Sequence, residues 1–308
     1  MTFYGPKAAI RSNSSLRDAL LLLNKIPGLT SFEALNPVKK ALGSRKVGHT
    51  GTLDKFAGGL LVVLTGKALK LTPYFTNCSK HYEALARFGA ETDTLDPEGI
   101  VSAEAPVPSK EAIELVLERF RGRITQIPPV FSAIHVDGKR AHELARGGVS
   151  VEMKPRFVTI HELSLCSYEP PFARLKIHCS AGTYIRALAR DIAVAAGSRA
   201  HLTELTRTQA GAFSLTDAIH LLPEASNPAD ILNALQPINK HIFDALAIPV
   251  CEIDDKTAAA MRQGKVIGEN ILPFEGSASH AAVFCGDSFI ALLEKQPSGS
   301  RWRYAFVF

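Results

Sequence analysis

FVTIHELSLCSYEPPFARLKIHCSAGTYIRALARDIAVAAG, residues Phe157 to Gly197, decides the fold class. Phe157 to Ser167 and Phe172 to Cys179 are rich in β-branched and apolar residues and read as two strands joined by a turn at Glu169-Pro170-Pro171. Tyr184 to Ala196 follows with helical spacing and is closed by Gly197. A hairpin running directly into a helix argues for a mixed, largely antiparallel α+β sheet over a doubly wound parallel one.

Working outward, Lys80 to Gly89 alternates, with Tyr82, Ala84, Ala86 and Phe88 on one face, and reads as a half-buried strand. Ala19 to Asn24 and Gly59 to Thr65 are short apolar runs with the length of buried strands. After the Pro27-Gly28 turn, Thr30 and Glu33 form a capping box, which predicts a helix to about Gly43 with a kink at Pro37. Ser109 to Phe120 reads as a helix. Pro128-Pro129 then leads into a strand over Val130 to Val136, closed by a turn at Asp137-Gly138. The polar residues up to about Arg17 read as a loosely held lead-in, and Asn227-Pro228 to Gln236-Pro237 as a boundary. The expected domains are 1–239, with an insertion at about 122–155, and a small, mostly β unit at 240–308.

The 308 residues are 46% hydrophobic and 21% charged, enough apolar material for a packed core and too little charge for a disordered chain. No apolar run approaches the ~18 residues of a membrane span. MTFYGPKAAIRSNSSLRD lacks the apolar stretch of a secretory signal, so the expected location is the cytoplasm. Cys78, Cys166, Cys179, Cys251 and Cys285 are scattered and odd in number, against a disulfide framework or thiolate metal site, and no histidine pair has zincin spacing. No metal and no cofactor is expected. Residues 1–239 carry a net charge of +6 and residues 240–308 of −1, a modest excess compatible with a polyanionic partner.

The chemistry centres on Gly48-His49-Thr50-Gly51-Thr52-Leu53-Asp54, where two glycines let a loop approach a ligand and present one carboxylate. On its own, Asp54 reads first as the cap of the next helical turn. A P-loop ending at Gly66-Lys67 would need Gly at Leu61 and Ser or Thr at Ala68; a phosphoaspartate motif would need Asp at Gly48 and Lys at His49. An EF-hand over Asp93 to Gly99 fails because Leu95 and Pro97 occupy ligand positions.

The order of four motifs is informative: GHTGTLD, Lys80-His81-Tyr82, Gly182-Thr183-Tyr184-Ile185-Arg186, and His201-Leu202-x-x-Leu205-x-Arg207-Thr208. With LLLLNKIPGLTS near the start and QIPPVFSA in the middle, the chain from about Leu20 to Phe213 resembles the TruB family, the tRNA pseudouridine-55 synthases. The resemblance implies the pseudouridine synthase fold with a PUA-like C-terminal domain. It implies a cofactor-free isomerisation of uridine to pseudouridine in the T-loop of tRNA. Base flipping is expected, because an enzyme that acts on a base must take it out of the stack.

By the same resemblance Asp54 is the nucleophile, Arg186 its ion-pair partner, and Tyr82 the ring that stacks on the uracil and accepts a proton. Tyr184 and Leu205 line the pocket, His49 takes the place of the extruded base, and Lys25 and Arg207 contact the RNA backbone. The expected partner is tRNA, through T-loop and acceptor stem, bound by a monomer without an obligate protein partner or a membrane. Departures from the family pattern are Lys55 for Pro, Ile26-Pro27 for an earlier Pro, Phe131, His135 and His142 for Tyr, Lys and Tyr, and Thr206 for Arg. The competing readings are a non-catalytic tRNA-binding or folding chaperone and the same chemistry on another RNA.

Overall fold

The computed structural model describes residues 17–132, 135–136, 139–140, 152–221, 226–265, 278–296 and 301–308. In chain order the strands are β1 (Ala19–Lys25), β2 (Val47–His49), β3 (Gly58–Thr65), β4 (Lys80–Phe88), β5 (Ala90–Thr92), β6 (Val101–Glu104) and β7 (Gly122–Gln126). Then come β8 (His135–Val136), β9 (Lys139–Arg140), β10 (Arg156–Glu169), β11 (Phe172–Cys179), β12 (Ala200–Ala210), β13 (Phe213–Ser214) and β14 (Ile219–His220). The last are β15 (Gln236–Pro237), β16 (Val250–Glu252), β17 (His280–Cys285), β18 (Ser288–Lys295) and β19 (Trp302–Val307).

The large sheet runs β14-β1-β3-β12-β4-β11-β10-β7, with β2 on β3, β13 on β12 and β15 on β1. Only the β1–β14 and β3–β12 pairs are parallel, so the sheet is mixed and largely antiparallel. The central hairpin is β10–β11, and β11 lies between β10 and β4. One face of β4, β10, β11 and β12 packs on the helices Lys110–Leu117 and Ile185–Ala195 through Ala84, Ala86, Phe88, Leu175, Leu188, Ile192 and Leu202. On this face the strand alternation places Tyr82 beside Leu205.

β1 and β3 are buried on both faces. One side packs on the helices Asn36–Leu42 and Pro228–Ala234 through Val38, Leu61, Val63 and Ile231. The other joins Leu20, Leu60 and Val62 to Ile242, Phe243, Phe284, Phe289 and Leu292, so the C-terminal sheet β16-β17-β18-β19 shares a core with the large one. Residues 228–237, read as a boundary, thus form a helix and the short strand β15 on the edge of β1.

Two local expectations are corrected. The capping box forms, with Thr30 N–H donating to Glu33 Oε2 (2.8 Å) and Glu33 N–H to Thr30 Oγ1 (3.2 Å), but only a single 3₁₀ turn, Glu33–Leu35, follows it. The α-helix starts afresh at Asn36, which puts Pro37 in its first turn, where a missing N–H costs nothing and no kink is required. The strand expected over Val130 to Val136 is bent chain at Val130–Ser132 and strand only at β8, paired with β9, while the strand that joins the large sheet lies earlier, at β7. β-branched Ile124 and Thr125 were the available signal, and consecutive prolines cannot supply ladder donors. The lead-in up to residue 16, the Asp137-Gly138 turn and His142 lie outside the described residues.

Candidate active site

The GHTGTLD segment begins as β2, antiparallel to β3, and then loops outward before the chain returns as β3. Ser31 Oγ accepts from Leu53 N–H (2.8 Å) and donates to Leu53 O (2.9 Å), which clamps the residue before Asp54. Lys25 is fully buried and its ammonium donates to Leu29 O (2.6 Å), Ile26 O (3.2 Å) and Lys55 O (3.4 Å). Gly28 N–H also donates to Lys55 O (2.8 Å). From the other side, buried Arg207 donates through Nε to Leu60 O (2.7 Å) and through Nη2 to Gly51 O (3.0 Å). Gly59, at φ +99°, lets β12 come alongside: a Cβ there would lie 2.3 Å from Arg207 O.

Lys25 and Arg207, expected as RNA backbone contacts, are therefore turned inward and spend their charge on main-chain carbonyls. The reason is structural: the turns at residues 26–29 and 51–55 leave carbonyls to side-chain donors, and two buried cations satisfy them, with Arg207 also reaching Leu60 O of β3. Burial pulls the Lys25 ammonium down to about 8, with Asp54 acting in the opposite sense.

Asp54 faces the helix Ile185–Ala195, whose first turn carries Arg186. Arg186 Nη2 donates to Asp54 Oδ1 (3.1 Å), and Nε lies 2.9 Å from Oδ2, a close ionic contact without the alignment of a hydrogen bond. The rest of the guanidinium is used as well: Nη1 donates to Thr94 O (2.7 Å) and Asp96 Oδ2 (3.1 Å), and Nη2 to Phe131 O (3.0 Å). Asp96 is itself held by Thr94 Oγ1 (2.6 Å) and Glu98 N–H (3.0 Å), both donating to Oδ1. One buried arginine is thus gripped between two carboxylates of different access. The Asp54 side chain keeps 37% of its surface exposed and Asp96 only 7%, so Asp54 is the one that can meet a ligand.

Burial pushes the Asp54 carboxyl up, and Asp96 pushes the same way, while Arg186 and Lys25 oppose them. Tyr82 stands opposite Arg207 in the β4–β12 ladder, and the Arg207 charge acts on its phenol. Burial raises its phenol above the ordinary tyrosine value, so Tyr82 is a neutral phenol at pH 7. Tyr184 sits at the N-cap of the Arg186 helix, half-buried, with the Arg156 guanidinium 5.5 Å from its ring centroid. Leu205 is buried against the same cluster as Tyr82 and Leu53. His49 is held neutral by burial and by the charges of Arg207 and Lys39, and its Nδ1 has no hydrogen-bond partner among the described residues. Tyr82 and Tyr184 both feel the Asp54 charge, Leu205 packs in the cluster that holds Leu53 and Tyr82, and Arg186 pairs with Asp54, whereas His49 is tied to this group only through the charge of Arg207.

Sequence reading missed four contributors. Asp96 lay in a carboxylate-rich turn that had been weighed only as a calcium loop. Buried Gln126 pairs both ways with the Tyr184 backbone, accepting from N–H (2.8 Å) and donating to O (3.1 Å), and so caps a helix whose own N-cap side chain makes no cap bond. Ser31 closes the LLLLNKIPGLTS stretch without a role being read from it, and Arg156 gave no pattern. Two of the departures, Lys55 and Phe131, contribute carbonyls to these contacts, which any residue supplies.

Residues 39–185 match the family model described as TruB family pseudouridylate synthase, N-terminal domain. A protein of Azoarcus sp. named tRNA pseudouridine synthase B is 42% identical over 287 residues, spanning 92% of each chain. The chain belongs to the TruB family. A second relative of the same name, from Borreliella burgdorferi, is 50% identical over 206 residues, covering 66% of this chain and 73% of its own. Among solved structures, a Cbf5-Nop10-Gar1 complex matches with a TM-score of 0.70 at 24% identity over 96% of this chain and 87% of that one. An H/ACA RNP bound to a substrate RNA containing 2′-deoxyuridine matches at 0.68 and 22% identity over 96% and 86%. These two establish the pseudouridine synthase fold for this TruB family chain. No helix among its described residues is long and apolar enough to cross a membrane.

Proposed function

We propose that the protein isomerises uridine to pseudouridine in tRNA, at position 55 of the T-loop, with Asp54 as nucleophile and no cofactor. The observation that carries this reading is the open Asp54 carboxylate set against the buried Arg186, whose opposite edge is tied to Asp96. A carboxylate held this way is oriented before substrate arrives, and a cation that cannot swing away favours its ionised form against the burial that raises it. The N1–C1′ bond breaks, the uracil turns within the recess, C5 bonds to C1′, the C5 hydrogen leaves as a proton while N1 takes one up, and the Asp54 adduct is released with its carboxylate restored. Atoms balance without redox change or a group donor.

Flipping the uridine leaves a gap that neutral His49 fills, and the uracil stacks on Tyr82 against Leu205. Stacking on an aromatic ring is worth ~1–3 kcal/mol, comparable to the cost of extruding an unpaired base. Because Tyr82 is a phenol at neutral pH, its role at the start of the cycle is stacking; any base role requires its proton to leave first. Arg156 and Tyr184 form the side of the mouth where a phosphate meets a cation not tied up by a carboxylate among the described residues. Residues 1–239 constitute the catalytic domain, and residues 240–308 a PUA-like domain that meets the acceptor stem.

The test is tritium release from a tRNA transcript labelled at uracil C5. Wild type is expected to release tritium, and Asp54→Asn to release none while binding within about tenfold, ~1.4 kcal/mol. A transcript without the T-loop uridine should release none. Turnover by Asp54→Asn would overturn the assignment.

A further inference from the structure

Phe32 has 67% of its surface exposed, yet the residues on either side of it are fixed. Ser31 clamps Leu53 through two hydrogen bonds, and Glu33 closes the capping box with Thr30. The ring is thus held on rigid backbone one residue from the clamp on the nucleophile loop. Lys39 Nζ lies 3.5 Å from the ring centroid, and Lys39 has no ion-pair partner among the described residues. The charge of Lys39 also reaches His49, and that of Lys55 reaches Glu33, so this aromatic and its cation lie near both ends of the GHTGTLD loop. The same helix and the connection after it add Lys40, Arg45 and Lys46.

A single exposed aromatic is ordinary. Here it is paired with an uncompensated cation beside a loop that must receive an unstacked nucleotide. Flipping one base leaves its neighbours without a stacking partner, and aromatic faces flanked by lysines are the usual replacement. The recess holds one base; its neighbour needs a surface outside it. We propose that Phe32 is a stacking platform for an unpaired base adjacent to the flipped uridine, with Lys39 moving from the ring face to the adjoining phosphate. This rests on the RNA isomerase reading above.

The experiment compares wild type with Phe32→Ala, Phe32→Leu, Phe32→Trp and Lys39→Met, using the C5-tritiated transcript and, in parallel, transcripts with each neighbour of the target uridine made abasic in turn. The loss of one stacked base predicts that Phe32→Ala raises KM about 5- to 100-fold with kcat kept within about threefold. Phe32→Leu should resemble Phe32→Ala, since an aliphatic side chain is apolar but not a platform, whereas Phe32→Trp should restore wild-type KM. With Trp302 replaced by Phe, the tryptophan at position 32 is the one in the chain, and its fluorescence should quench on transcript binding. One abasic neighbour should weaken wild type by the same factor and leave Phe32→Ala unaffected. Lys39→Met should lower the salt dependence of binding by about one phosphate contact.

Wild-type turnover with an unchanged KM for Phe32→Ala, or with additive losses at every abasic position, overturns the platform alone. Restoration by Phe32→Leu overturns stacking in favour of plain apolar packing. Absence of tritium release by wild type overturns the isomerase reading, and the platform with it.

Discussion

Asp96→Asn isolates what the second carboxylate does. The amide keeps Oδ1 as acceptor for Thr94 Oγ1 and Glu98 N–H, so the turn over residues 93–99 retains its hydrogen bonds. What disappears is the charge 3.1 Å from Arg186 Nη1, in a place where the arginine is 4% and the aspartate 7% exposed. A hydrogen bond to a charged group at such a site is worth ~1.5–3 kcal/mol, and Asp54 and the Thr94 and Phe131 carbonyls still hold Arg186, so folding should survive with a loss of about that size. Catalysis should suffer more than the ground state. With one edge released, Arg186 no longer dictates where the Asp54 carboxylate points, and a misplacement of ~1 Å costs on the order of 100-fold in rate. The expected result is kcat down ~10- to 100-fold with KM nearly unchanged, read by single-turnover tritium release. The pH profile gives an independent sign. Asp96 helps to raise the Asp54 carboxyl, so its neutralisation lowers the Asp54 pKa and moves the acid limb of the rate to lower pH. A single-turnover rate within threefold of wild type, or an acid limb displaced upward, would refute the idea that Asp96 positions and tunes the pair.

Arg186→Lys should damage both rate and stability, because a three-donor ammonium cannot serve two carboxylates and the carbonyls of Thr94 and Phe131; each buried carbonyl left unpaired costs ~1–3 kcal/mol, measurable by urea unfolding. Lys25 is depressed from 10.5 to about 8 in the fold, so between those values the unfolded chain holds a proton that the native one has lost, and stability from this group rises with pH. The difference in unfolding free energy between wild type and Lys25→Met should accordingly grow from pH 8 to 10; a flat or falling difference would contradict the buried-ammonium assignment. Arg156→Ala should weaken tRNA binding at low salt by roughly tenfold and reduce the salt slope by about one contact, with kcat for saturating tRNA kept, as filter binding across a salt series would reveal.

The strands and the main helices were legible because their signals are local. Lys80 to Gly89 alternates with period two, Phe157 to Cys179 carries a proline turn between two β-rich runs, and Gly43 and Gly197 stop helices where positive φ is needed, at +57° and +73°. Asp54, Tyr82 and Arg186 were named from ordered motifs, and they come together because β4, the GHTGTLD loop and one helix N-terminus meet on one face of the sheet. What local pattern could not give was direction and partnership. A lysine before a turn and an arginine on a strand read as surface cations. Whether Lys25 and Arg207 point outward to phosphate or inward to carbonyls depends on which carbonyls the fold leaves unpaired, and that is known only once β3 and β12 lie side by side. Asp96 is similarly silent: its place in the site depends on Arg186, ninety residues away, having an unused edge. By itself the sequence determined the element types, the mixed sheet and the residue types of the chemistry, because periodicity, turn residues and motif order are properties of neighbours along the chain. Only the tertiary structure decided which charges are buried, which of two carboxylates stays open and which residues hold the loop, because desolvation and hydrogen-bond satisfaction are set by neighbours in space.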